Sequence, residues 1–165
     1  MNIFRAMKPD LVVSSVKSID FQALKARGIS VVLLDFDNTL GPDHATEPTD
    51  YSRECVSTLD ALGFEMCLVS NAKSGRSSNI AAMLGIPCIT YAHKPNPSGV
   101  YRALDMMKAK PEQACMIGDQ VFTDVIAGRL SGCYTILVER YSRKEIWYVK
   151  AKRPFERIVR FFARF

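Results

Sequence analysis

The chain has 165 residues, of which 48% are hydrophobic and 24% charged, enough apolar material for the core of one soluble domain. No apolar run approaches the roughly 18 residues that a membrane-spanning helix requires, and the segment before Asp10 lacks the apolar stretch of a secretory signal. The five cysteines are widely spaced and there are two histidines, which argues against a disulfide framework or a zinc site. We therefore expect a cytoplasmic protein.

The predicted elements begin with a helix at residues 21–26, after which apolar runs alternate with helical patterns. Predicted strands cover residues 31–34, 66–69, 88–91, 114–117 and 134–138, and helices at 51–62, 74–84, 97–108 and 123–130 lie between them. Strands that are apolar along their length and separated by helices indicate a parallel sheet covered on both faces. The sequence therefore predicts an α/β fold: one three-layer, Rossmann-like domain over residues 1–165, with a five-stranded parallel sheet.

The first predicted strand runs directly into two acids, Asp35 and Asp37. In an extended chain, residues two apart point the same way, so both carboxylates would occupy one small region. Like charges at such short range repel strongly unless a cation lies between them. This spacing therefore predicts a bound cation next to the two acids.

The later strands also end in polar groups. Ligands of parallel α/β sheets bind at the carboxyl ends of the strands, so these groups should converge at one edge. After the second, third and fourth predicted strands come, in order, Ser70 with Asn71, Lys94, and Asp119 with Asp124.

This set of groups suits a magnesium ion together with a phosphoryl group. Mg²⁺ prefers a few carboxylates, retained waters and a substrate phosphate. Lys94 adds a second cation, and Ser70 and Asn71 add neutral donors for the anionic oxygens of a phosphoryl group. With an aspartate as nucleophile, the intermediate would be an aspartyl phosphate.

Four motifs, in this order, resemble those of the haloacid dehalogenase (HAD) superfamily of phosphatases. They are Asp-Phe-Asp-Asn-Thr at residues 35–39, Val-Ser-Asn at 69–71, the single lysine Lys94, and Gly-Asp-Gln-x-x-Thr-Asp-x-x-x-Gly at 118–128. The resemblance spans residues 31–132. It implies a HAD-like fold, a magnesium cofactor and hydrolysis of a phosphate ester.

The resemblance also implies a role for each acid. Asp35 would be the nucleophile that attacks phosphorus, and Asp37 would protonate the leaving group and later activate water. The metal would be held by the side chains of Asp35 and Asp119 and by the backbone carbonyl of Asp37. Asp124 would support the metal-bound waters or hold Lys94.

Ser70, Asn71 and Lys94 would bind the phosphoryl oxygens. Many members of this superfamily insert a cap domain after the first motif or between the second and third, but residues 41–48 and 71–94 are too few to hold one. The predicted site is therefore open. An open site favours a bulky or surface-bound phosphate ester, because the substrate, a membrane or a partner chain must exclude water.

Flanking features resemble the compact, capless (subclass IIIA) phosphatases that convert phosphatidylglycerophosphate to phosphatidylglycerol. Those features include Met7-Lys8-Pro9-Asp10, residues 92–95 and the Lys-Arg-Pro-x-Glu-Arg stretch that begins at Lys152. Residues 154–165 are predicted to form a basic amphipathic helix. That helix would either contact an anionic membrane from the cytoplasmic side or dock its aromatic side on the domain.

Two other functions fit the same residues. The first is hydrolysis of a soluble sugar phosphate or nucleotide, with an oligomer supplying the missing cover. The second is a non-catalytic basic module that binds membrane or RNA, as the net charge of +5 would allow. A binding module has no need of a proton donor beside a nucleophile, so the motifs favour an enzyme, and no nucleic-acid partner is expected.

Overall fold

The computed structural model describes residues 6–72 and 75–141, so the predicted helix at 154–165 lies outside the described residues. Short 3₁₀ turns lie at Val16–Ser18 and Pro111–Gln113, and a π-helix lies at Val121–Val125. The strands are β1 (Leu11–Val13), β2 (Val31–Leu34), β3 (Glu65–Val69), β4 (Cys88–Ile89), β5 (Ala114–Gly118) and β6 (Tyr134–Val138). The α-helices are α1 (Phe21–Ala26), α2 (Asp50–Ala61), α3 (Arg76–Leu84), α4 (Ser98–Met107) and α5 (Ile126–Ser131).

The strands form one parallel sheet in the order β1-β6-β5-β2-β3-β4. The predicted α/β, Rossmann-like class is confirmed, but the prediction of five strands was wrong, because β1 adds a sixth at one edge. β1 is three residues long, alternates half-buried and exposed positions, and pairs with β6 alone. A strand that short carries too little periodicity for a single sequence to reveal it.

The two faces of the sheet are covered by different helices, which gives the predicted three layers. Side chains such as Val32 and Leu34 pack against residues of α1, α2 and α3. Their neighbours Val31 and Leu33 point the other way, toward α4 and α5. All four of these β2 residues are buried, as expected for a strand at the centre of a doubly covered sheet.

Strand β2 also marks the point where the direction of the strand order reverses. From β2 the chain continues to β3 and β4 on one side, and it then crosses to β5 and β6 on the other. Open α/β sheets bind ligands at such a reversal, so the carboxyl ends of β2 and β5 are the expected place for a site.

The connections around that place are short. Residues 35–49 join β2 to α2, and one helix, α3, lies between β3 and β4. No cap domain is present at either position among the described residues, as predicted. Within residues 6–72 and 75–141, no helix is long and apolar enough to cross a membrane.

Candidate active site

Three acids meet at the carboxyl ends of β2 and β5. The backbone N–H of Asp35 donates to the carbonyl of Ile117 at 2.9 Å, which continues the β2–β5 pairing into the site. Asp119 directly follows β5. Carboxylate oxygens of Asp35, Asp119 and Asp124 all lie within 4.8 Å of one another, and all three residues are buried. The structure thus brings together three of the four acids that the sequence nominated as metal ligands.

Lys94 supplies a positive charge inside this acidic cluster. Its ammonium donates to Asp35 Oδ1 at 2.7 Å and to Asp124 Oδ1 at 2.6 Å, and its side chain is 2% exposed. Burial opposes the charge on Lys94, but the carboxylates of Asp124 and Asp35 outweigh it and raise the pKa of Lys94. The lysine therefore stays protonated and joins the end of β2 to the segment after β5.

The buried, acidic surroundings of Asp35 disfavour its ionised form. Burial raises the pKa of Asp35 well above its ordinary value, Lys94 counteracts part of that rise, and the charges of Asp124 and Asp37 add to it. A divalent cation among the carboxylates would favour the ionised form. Three buried carboxylate oxygen donors are a set that suits a hard cation such as Mg²⁺.

Asn71 fixes the segment that carries Lys94. The Asn71 side-chain amide donates to the carbonyl of Lys94 at 2.9 Å, and its oxygen accepts from the N–H of Lys94 at 2.7 Å. This reciprocal pair joins the loop after β3 to the loop after β4. The side chain of Asn71, which the sequence nominated as a phosphate ligand, is thus hydrogen-bonded to the backbone of Lys94. The backbone N–H of Asn71 is therefore its candidate phosphate donor.

Ser70 lies at the end of β3 and is buried. Its hydroxyl oxygen accepts from the N–H of Ala72 at 3.1 Å and from the hydroxyl of Ser77 at 3.0 Å. Sequence reasoning missed Ser77, which lies in the first turn of α3. Ser77 orients the hydroxyl of Ser70, the group nominated as a phosphate donor.

The π-helix at Val121–Val125 positions Asp124. The predicted helix at residues 123–130 was therefore wrong in type at its start, because regular α-helix begins only at Ile126. The N–H of Gln120 donates to Asp124 Oδ2 at 3.1 Å. A Cβ at Gly118 would lie 2.3 Å from that carboxyl group, so glycine is needed there. Single π-turns within helices often occur at functional sites, as here.

Asp37 lies apart from the carboxylate cluster and has a different partner. A tight turn, in which the carbonyl of Phe36 accepts three N–H groups, follows β2. The Asp37 carboxylate receives both terminal nitrogens of Arg76, at 2.8 and 2.5 Å, and the N–H of His44 at 3.3 Å. The side chain of Asp37 is therefore outside the carboxylate cluster, although the spacing of the two acids predicted both carboxylates in one small region. The backbone carbonyl of Asp37 stays the predicted metal ligand.

Sequence reasoning missed Arg76. This arginine begins α3, and a cation at a helix N-terminus opposes the helix dipole. An unfavourable charge at that position, soon after the motif at residues 69–71, is the signal that could have identified it.

Comparison with known families is consistent with this geometry. The family model described as "Hydrolase: haloacid dehalogenase-like hydrolase" matches residues 20–132. These residues run from the start of α1 to the end of α5. The match therefore includes every residue nominated above for the site.

Curated relatives extend the similarity beyond that range. A Bacillus subtilis protein named as a probable phosphatase, YqeG, is 32% identical over 151 residues, covering 92% of this chain and 88% of that protein. The chloroplastic phosphatidylglycerophosphate phosphatase 1 of Chlamydomonas reinhardtii is 30% identical over 141 residues, covering 79% of this chain and 52% of that protein. The chain thus spans about half the length of the algal enzyme.

Solved structures share the fold at low sequence identity. An uncharacterized protein from Listeria monocytogenes serotype 4b aligns with a TM-score of 0.57 at 16% identity, covering 79% of this chain and 98% of that chain. The cobalt-bound deoxy-D-mannose-octulosonate 8-phosphate phosphatase of Haemophilus influenzae aligns with a TM-score of 0.56 at 15% identity, over 82% and 90% of the two chains. The family model and the relatives together establish that this chain belongs to the haloacid dehalogenase-like hydrolases.

Proposed function

We propose that the chain is a magnesium-dependent phosphomonoester hydrolase that acts on phosphatidylglycerophosphate and releases phosphatidylglycerol. The observation that carries the proposal is the buried cluster in which Lys94 pairs with Asp35 and Asp124 while Asp119 lies within reach of both acids. A buried cluster of three acids and one lysine is costly for the fold, so it is expected where it serves chemistry.

In this proposal Asp35 is the nucleophile and forms an aspartyl phosphate. The side chains of Asp35 and Asp119 and the backbone carbonyl of Asp37 would hold Mg²⁺, with Asp124 in support; the ion would neutralise charge on the transferring phosphoryl group. Lys94 holds Asp35 in place and offers its charge to the phosphoryl oxygens.

Asp37 is the proposed proton donor to the leaving oxygen, and it later takes a proton from the attacking water. Its side chain is 25% exposed, so a substrate can reach the carboxylate. The hydroxyl of Ser70 and the backbone N–H of Asn71 are the proposed neutral donors to the phosphoryl group. These donors balance negative charge on the equatorial oxygens as the phosphoryl group moves.

Three observations support a lipid substrate. The curated Chlamydomonas relative is named for phosphatidylglycerophosphate. The described part of the chain has no cap to cover the site, which leaves room for a bulky ester. The basic segment that ends the sequence suits peripheral contact with an anionic membrane surface.

The first experiment measures phosphate release from an aryl phosphate with Mg²⁺. We expect activity that is lost on chelation and in Asp35→Asn, whereas a binding module would give none. The second compares kcat/KM for phosphatidylglycerophosphate in mixed micelles with values for soluble sugar phosphates and nucleotides, using the full chain and a chain lacking residues 154–165. Equal kcat/KM for lipid and soluble esters would reject the lipid substrate while leaving the phosphatase intact.

A further inference from the structure

We propose that Arg76 forms a second anion site, which binds a further phosphate carried by the leaving group of the substrate. The inference rests on the proposed function, in which Asp37 gives its proton to the leaving oxygen. It adds a recognition element that selects phosphomonoesters whose alcohol part is itself phosphorylated.

The guanidinium of Arg76 uses one of its two hydrogen-bonding edges on protein. Nη1 and Nη2 donate to the two oxygens of Asp37, and Nη1 also donates to the carbonyl of Ala45 at 3.0 Å. The hydrogen bonds of Arg76 within residues 6–72 and 75–141 use neither Nε nor the second hydrogen of Nη2, although the charges of Asp43 and Asp35 also act on the guanidinium. These two donors form a side edge whose spacing matches two oxygens of a phosphate.

The Arg76–Asp37 pair is also more accessible than the ion pair of Lys94 and Asp124. Its side chains are 15% and 25% exposed, whereas those of Lys94 and Asp124 are each 2% exposed. A ligand can therefore reach Arg76 without dismantling the core. Partial burial also strengthens an ionic hydrogen bond relative to one in open solvent.

The position of Arg76 relates it to the leaving group specifically. In an in-line transfer the leaving oxygen departs on the side opposite the nucleophile, where the proton donor meets it. Arg76 holds the carboxylate of Asp37, the proposed donor, so its second edge would lie beside the alcohol part of the substrate. The guanidinium is charged whenever substrate binds, because an arginine side chain does not lose its proton in proteins.

Phosphatidylglycerophosphate contains such an arrangement, because its phosphodiester lies three carbons from the phosphate that is removed. A soluble bisphosphate offers the same chemistry without a lipid. The matched probes are therefore propane-1,3-diol bisphosphate and propyl phosphate, which differ only in the second phosphate.

The test measures kcat/KM for both probes in the wild type, Arg76→Gln, Arg76→Lys and the control Arg53→Gln, which removes an exposed arginine from α2. We expect the wild type to prefer the bisphosphate by roughly 10- to 100-fold, the range for charge-assisted hydrogen bonds. Arg76→Gln should abolish that preference, Arg76→Lys should retain part of it, and Arg53→Gln should retain all of it.

A binding measurement keeps the inference testable without turnover. Calorimetry on the inactive variant Asp35→Asn with Mg²⁺ should show that the bisphosphate binds at least tenfold more tightly than propyl phosphate. The double variant Asp35→Asn, Arg76→Gln should bind both compounds with equal affinity. Equal loss with both probes in Arg76→Gln would mean that Arg76 only positions Asp37, and it would overturn the inference. Absence of turnover in the wild type with this binding difference intact would instead reject the proposed function.

Discussion

Lys94→Met tests the electrostatic core of the site, because it removes the ammonium but keeps most of the side-chain volume. The lysine contacts Asp35 at 2.7 Å and Asp124 at 2.6 Å, and its side chain is 2% exposed, so water cannot replace the lost charge. Removing one partner of a buried ion pair costs about 3–5 kcal/mol. We expect the metal-free variant to lose about that much unfolding free energy at pH 8, a large part of the ~5–15 kcal/mol typical of a domain.

The assay is urea unfolding followed by circular dichroism, in EDTA and in Mg²⁺. Mg²⁺ should restore more stability to Lys94→Met than it adds to the wild type, because the ion compensates carboxylates that the lysine no longer neutralises. The control Lys17→Met breaks an exposed ion pair with Glu54 and should leave the unfolding free energy nearly unchanged. A Lys94→Met protein as stable as the wild type in EDTA at pH 8 would refute the reasoning.

Three further predictions concern groups around this core. Gly118→Ala would put a methyl group 2.3 Å from the carboxyl group of Asp124. We therefore expect roughly a 10- to 100-fold loss of Mg²⁺ affinity or activity, measured by titrating phosphate release with Mg²⁺. An unchanged Mg²⁺ affinity would contradict this expectation. Asn71→Ala removes both amide contacts to the backbone of Lys94 and should cost about 1–3 kcal/mol in urea unfolding, and a cost near zero would argue against the clamp. Because the folded-state pKa of Asp35 is raised, the folded protein binds more protons than the unfolded chain, so metal-free stability should fall as pH rises from about 4 toward that raised pKa. Thermal unfolding across this range in EDTA should show the wild type falling relative to Asp35→Asn, and parallel curves would contradict the expectation.

The parts of the fold that the sequence predicted correctly are those with a strong local signal. Strand β2 is four buried apolar residues that run into Asp35, and its character is evident without any knowledge of its neighbours. Parallel strands end at one edge of a sheet, so the order of motifs was enough to bring Asp119 close to Asp35. The order of the motifs and the parallel sheet were therefore enough to predict that these two acids lie close together, without knowledge of the side-chain packing.

The parts that were missed depend on contacts distant in sequence. The edge strand β1 is a strand because β6 lies beside it, more than 120 residues later. The π-helix before α5 positions Asp124 against Lys94, which lies 30 residues earlier, and that contact leaves no period in the sequence. Arg76 was missed for the same reason, because its partner Asp37 lies on the other side of β3 in the chain.

The ion pairs of the site fall into two groups, the almost fully buried pairs of Lys94 and the partly exposed pair of Arg76. The pair of Lys94 and Asp124 is almost fully buried beside Asp35, the proposed nucleophile, so substitutions there should affect every substrate alike. The pair of Arg76 and Asp37 is partly exposed, and in the proposed function it would border the leaving group, where substrates differ from one another. No cap closes the site in the part of the chain that the structure describes. In the proposed function, the choice among phosphate esters would therefore come from the few side chains that border the site and from the size of the substrate. If the proposed roles hold, substitutions at Arg76 and its surroundings should change substrate preference, whereas substitutions of the buried acids should change the rate for every phosphate ester.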